Sequence, residues 1–204
     1  MKRTSFSMSV EANVARYYTC VLCPAETESH STWDNANFDE ESSRLMQFRL
    51  LDKIDELEPG KRLTGTKLLR PDEDYLRDHF PRFPVMPGVL MLEAMFQGGL
   101  WLLLETEQFE RPFVTMKESR NIRFADFVTP NQCLSVVVEI VRAENHIYKL
   151  KVEGRIGETA AVNGRLTLET STLAEKHPSR AASEVYMRHH LRKVYRELRG
   201  QPAQ

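Results

Sequence analysis

From Val89 to Leu104 the chain runs sixteen residues in which only Glu93 and Gln97 are polar. A helix that is apolar on every side is one that other structure surrounds. The pattern therefore predicts a long buried helix, entered through Pro87, a residue favoured in a first helical turn. Upstream, "MQFRLLDKIDELEPGKRLTGTKLL" begins near Met46 as a strand, turns at Glu58-Pro59-Gly60-Lys61, and continues as a second strand over Arg62–Leu69. Downstream, four segments read as strands: Phe113–Phe124, Cys133–Ala143, Ile147–Ile156 and Ala160–Thr170. They are rich in β-branched and aromatic residues, and "IYKLKVEGRI" alternates well. Short connections make such strands antiparallel neighbours. The expected object is α+β: an antiparallel sheet wrapped around one buried helix, with Gly88, Ala94, Gly98 and Gly99 allowing close approach.

The two ends differ in texture. Residues 1–45 are polar, without periodicity, and suggest a poorly ordered extension; a start codon misassigned upstream would also explain the abrupt change at Met46. Over residues 173–204, Met187, Leu191, Val194 and Leu198 form the stripe of an amphipathic helix. Its other faces are basic, with seven Lys and Arg against three Glu for a net +4 over those residues. Docking by the apolar stripe is the favoured role; binding an acidic carrier protein or a membrane surface is the alternative. The chain thus divides into 1–45, a compact domain over 46–172, and the basic segment 173–204.

Composition adds mainly exclusions. With 41% hydrophobic and 28% charged residues the 204-residue chain is ordinary for a globular protein, and a net charge of −1 gives no case for nucleic acid as partner. No apolar run is long and unbroken enough for a membrane span, and the N-terminus lacks the core of a secretory signal. Three cysteines, Cys20, Cys23 and Cys133, make no disulfide framework, so a reducing cytoplasm is the expected location. The Cys20-x-x-Cys23 pair lacks a second pair at zinc-like spacing and is read as coincidence.

Candidate chemistry gathers at the mouth of the apolar helix. Histidine changes charge near neutral pH, which makes His79 a natural proton acceptor. Gly88 falls in the first helical turn, where backbone N–H groups lack intrahelical partners, and without a Cβ it lets a carbonyl oxygen come close. Burial would raise the pKa of Glu93 and make it a proton donor, while Gln97, four residues on, shares its face and can orient it. A base, an oxyanion site and a buried acid suit removal of a proton α to a carbonyl and protonation of a leaving group at β. That is dehydration of a 3-hydroxyacyl compound, or its reversal. The bland alternatives are a structural histidine before a proline-rich turn and a solvated helical glutamate.

At these residues, "HFPRFPVMPGVLMLEAMFQ" resembles the signature of the hot-dog-fold 3-hydroxyacyl-[acyl-carrier-protein] dehydratases of the FabZ type. The fourteen-residue step from His79 to Glu93 is similar to that family's spacing, and "LLDKIDELEPGKRLTGTK" and "RFADFVTPNQCLSVVVEIVR" resemble the flanking segments. The resemblance covers about residues 46–170. It implies the hot-dog fold and a role for each residue. His79 would abstract the C2 proton, Glu93 would protonate the departing C3 hydroxyl, and the Gly88 N–H would bind the thioester carbonyl. The Val85 N–H would hold the His79 carbonyl, and Gln97 would position Glu93. It further implies dehydration of (3R)-3-hydroxyacyl-[acyl-carrier-protein] in fatty acid biosynthesis, with the acyl carrier protein as partner and no metal or organic cofactor. The active site would lie at the interface of a homodimer, with a trimer of dimers as a common higher assembly. The glycines that usually flank "HFP" are replaced by Asp78 and Arg82, which puts the loop geometry in question and offers Arg82 as a carrier contact. The alternatives are a dehydratase that also isomerises its product, in which the acid is usually Asp, and a non-catalytic acyl-thioester-binding regulatory protein.

Overall fold

The computed structural model describes residues 49–201. The expected extension 1–45 and the Cys20–Cys23 pair lie outside the described residues.

Six strands form a single antiparallel sheet. They are β1 (Lys53–Glu58), β2 (Arg62–Leu68), β3 (Phe113–Phe124), β4 (Cys133–Glu144), β5 (Ile147–Ile156) and β6 (Thr159–Ser171), in the order β1-β2-β4-β5-β6-β3. Alternation decides which face each strand buries. In β2, Leu63, Gly65 and Lys67 point inward, and in β5 so do Tyr148, Leu150, Val152 and Gly154. Register shifts interrupt β3 twice and β4 once, between Ile140 and Arg142. Bulges of this kind bend a strand and increase its twist, so the sheet curls.

The helix α2 (Gly88–Thr106) lies in that curl. Its small residues set how deeply it sits. A Cβ on Gly98 would come within 2.9 Å of Val138, and one on Gly99 within 2.8 Å of both Leu150 and Leu168. The β1–β2 hairpin is tied to the far end of α2 by the Gly60 N–H, which donates to Thr106 Oγ1 at 2.8 Å. Gly60 has φ +77°, a conformation that suits glycine in this turn. The wrapped helix and antiparallel strands are the hot-dog arrangement that the sequence implied.

The C-terminal segment corrects one expectation, since 173–204 is not a single helix. Leu173–Lys176 forms one turn, α3, held by a capping box between Thr172 and Glu175. Pro178 opens a 3₁₀ turn to Ser183, and only then does α4 run from Glu184 to Leu198. Proline cannot continue a helix begun before it. The apolar stripe is as expected, with Met187, Leu191, Val194 and Leu198 buried. Tyr195 packs against Trp101 and Phe109, and the Arg192 guanidinium lies 5.4 Å from the centre of the Phe109 ring. Arg192 and Arg188 donate to the carbonyls of Gln108 and Glu110 just beyond α2, at 3.0 and 2.9 Å. Two of the basic residues therefore serve docking.

Candidate active site

The segment between β2 and α2 carries the histidine. It contains a one-turn helix, α1 (Tyr75–Asp78), whose Leu76 reaches the core and whose C-cap is His79. Short of a turn signal at Pro71, nothing in the sequence announced this element, because four residues carry no periodicity. His79 meets Phe80 edge-on at 4.6 Å between ring centres. Phe80 itself is left-handed, φ +51°. A bulky residue held there costs about 1–3 kcal/mol. The tight point of the loop is thus Phe80, not the substituted flanks Asp78 and Arg82. Phe83 N–H donates to Phe80 O at 2.8 Å and Met86 N–H to Val128 O at 2.9 Å. Val85 is buried, and no bond from its N–H to the His79 carbonyl is present among the described residues.

At the start of α2 the Pro87 carbonyl accepts from Leu90 and Met91, while no backbone partner among the described residues takes the Gly88 N–H. A Cβ on Gly88 would meet the Phe124 ring at 3.1 to 3.3 Å, so a larger residue there requires that ring to give by a few tenths of an ångström. Five residues further on, Glu93 sits on the same helix. Gln97 Nε2 donates to Glu93 Oε1 at 3.0 Å, and Gln97 Oε1 accepts from the Leu50 N–H at 2.9 Å. The Leu50 bond fixes which end of the amide faces the acid, since a backbone N–H requires the oxygen. Burial pushes the Glu93 carboxyl up to about 7, against a smaller lowering effect of the Gln97 bond. A carboxyl so placed can donate a proton near neutral pH.

The structure brings Glu93 and Gln97 together and sets Gly88 at the mouth of the same helix. Within the chain it does not join His79 to Glu93 by a hydrogen bond or ion pair. Around the mouth, Phe80, Phe83, Val89, Phe124 and Phe127 are all more than half exposed, and Arg82 is exposed beside them. Leu50 as partner of Gln97 and Phe124 as the lid over Gly88 are contacts that the sequence did not reveal. Among the described residues no group of three His, Cys, Asp or Glu side chains could hold a metal ion.

A family profile described as the FabA-like domain matches residues 43–167. The chain belongs to this family. Among curated FabA-like relatives, the 3-hydroxyacyl-[acyl-carrier-protein] dehydratase FabZ of Geobacillus thermodenitrificans is 40% identical over 126 residues, covering 62% of this chain and 83% of the relative. The FabZ of Halalkalibacterium halodurans is 39% identical over 126 residues, 62% of this chain and 86% of the relative. The dehydratase heterocomplex ApeI:P from Xenorhabdus doucetiae matches in fold, with TM-score 0.54 at 16% identity, over 65% of this chain and 89% of that one. The FabA-like match stops before α3, so α4 is an addition to the matched region.

Proposed function

We propose that the chain is a FabZ-type dehydratase that converts (3R)-3-hydroxyacyl-[acyl-carrier-protein] to the trans-2-enoyl thioester in fatty acid biosynthesis. The observation that carries this reading is the Glu93 carboxyl, raised to about 7 by burial and oriented by a doubly bonded Gln97, on the helix that opens at an uncapped Gly88 N–H. Its curated relatives bear the dehydratase name.

In the reaction His79 takes the C2 proton, and the Gly88 N–H donates to the thioester oxygen as negative charge develops on it. The C3–O bond breaks as Glu93 gives its proton to the hydroxyl, so water leaves and the C2–C3 double bond forms. The proton on His79 then restores Glu93. The protein supplies proton transfer and oxyanion stabilisation, and no metal or organic cofactor enters the reading; the acyl chain is brought on the phosphopantetheine of the carrier protein.

The site is completed in a homodimer, with His79 of one protomer facing Glu93 of its partner. The exposed cluster of Phe80, Phe83, Phe124 and Phe127 supports this, as does the edge of β3, which among the described residues pairs only with β6. Arg82, exposed at the mouth, is the candidate contact for an acidic carrier or the phosphopantetheine phosphate. The enzyme is read as cytoplasmic, and the apolarity of α2 as serving the core, where most of it is buried.

The test uses purified protein with 3-hydroxybutanoyl- and 3-hydroxydecanoyl-carrier thioesters, with products followed by mass spectrometry. Wild type should form the 2-enoyl thioester, while His79→Ala and Glu93→Gln should not. Mixing and re-equilibrating the two inactive variants should restore about a quarter of wild-type activity, because half of the dimers would then hold one intact site. Full activity in either variant alone would refute the mechanism. A 3-enoyl product would shift the reading to the isomerising branch.

A further inference from the structure

We infer that the buried Lys67–Glu73 ion pair positions His79, an inference that rests on the reading of His79 as the base. Lys67 lies on β2 with its side chain 1% exposed. Its Nζ is 2.6 Å from Glu73 Oε1 and 3.5 Å from Asp52 Oδ1. Asp52 is itself held, since its Oδ2 accepts the Leu68 N–H at 2.7 Å. Arg70 Nε stands 3.8 Å from the same Glu73 oxygen. An ammonium group is buried at considerable cost unless it is paired, and well-packed apolar residues often serve stability as well or better. Such a pair is therefore better understood through the geometry it imposes.

That geometry concerns the segment leading to the base. The backbone is fixed to the neighbouring loop at Leu69, through bonds with Gln132 O and the Asn131 N–H. Beyond Leu69 the chain leaves the sheet. A single turn such as α1 does not sustain itself, and it has no side-chain N-cap. Leu76 is its only fully buried residue. Among the described residues the His79 ring meets one other ring, that of Phe80, which is 61% exposed, and its side chain makes no hydrogen bond or ion pair. The Leu76 side chain, Tyr75 packed against the core and the Glu73 carboxylate on Lys67 therefore anchor the turn that sets where His79 stands. Glu73 and Lys67 are positioning residues and do not touch the substrate.

Glu73→Gln removes the charge and keeps the shape. Its kcat should fall about tenfold or more with KM within about twofold of wild type, because misplacing a base costs the transition state and not substrate binding. Hydrogen exchange over residues 70–80 should rise while β4 and β5 keep their protection, with the oligomer unchanged by size-exclusion chromatography. Lys61→Ala, which removes a surface pair with Glu58, should move neither readout. A folded Glu73→Gln protein with wild-type kcat and wild-type exchange over 70–80 would overturn the inference, as would a merely lowered melting temperature with both unchanged. If Glu73→Gln does not fold, the apolar double replacement Lys67→Met/Glu73→Leu takes its place, and wild-type kcat there overturns the inference equally. If wild type turns over neither thioester, the proposed function fails, and the exchange over 70–80 in the same variants still decides whether the pair anchors the segment.

Discussion

Glu93 ties stability to pH in a direction opposite to most carboxylates. Its folded pKa is raised from an ordinary 4.5 to about 7 by burial. Between those values the unfolded chain has released the proton and the folded chain still holds it, so the folded state loses stability as pH rises. At about 1.4 kcal/mol per pH unit, the gap amounts to about 3 kcal/mol, present in full below pH 4.5 and lost above about 7. Glu93→Gln removes this titration and keeps a polar group beside Gln97. Urea denaturation of wild type and variant, at one protein concentration and at steps from pH 4.5 to 8.5, should show the variant gaining about 3 kcal/mol on wild type across that range. Fixed concentration matters because a dimer's stability depends on it. A difference that stays flat with pH would refute the account of Glu93 as a buried, protonated acid. The same titration should appear in kcat/KM for wild type, which should decline above about pH 7 as the donor is lost.

Gln97→Leu should leave the Leu50 N–H unpaired, lowering stability by about 1–3 kcal/mol in urea denaturation; the descending limb of kcat/KM should move to higher pH, since the Gln97 bond lowers the Glu93 pKa. Gly99→Ala should destabilise by about 1–3 kcal/mol, because the new Cβ would meet Leu150 and Leu168 at 2.8 Å, and calorimetry with unchanged melting would refute so close a fit. Deleting residues 174–204 should leave the sheet and α2 folded, with a red shift in tryptophan emission as Trp101 loses Tyr195; loss of far-UV circular dichroism would show instead that α4 is needed for the core.

Much of the fold was legible because its strands bury one face. In β5 the alternation of residue type is the alternation of burial, whereas β2 buries Lys67 and exposes Leu68; the expected limits of β3 and β5 agree with the structure. The helix α2 was legible from sixteen nearly uniform residues, and Gly98 and Gly99 foretold how close the sheet would come. What escaped depends on contacts distant in sequence or on backbone geometry without a local signature. A left-handed Phe80 has nothing to announce it, since the residue type disfavours that conformation. The break at Pro178 was readable from proline alone, but the stripe from Met187 onward drew the helix too far back. In the site, Glu93 and Gln97 were foreseen as neighbours four apart on one helix face, whereas Leu50 lies 47 residues from Gln97 and joins it only through the fold.

That contact from Leu50 bears on how the site can evolve. The group that fixes the amide, and through it the acid, is a backbone N–H, which every residue except proline supplies. Position 50 can thus change among apolar residues of similar size without unpairing the Gln97 amide. Its part in orienting Glu93 would leave almost no trace in a comparison of related sequences beyond the exclusion of proline.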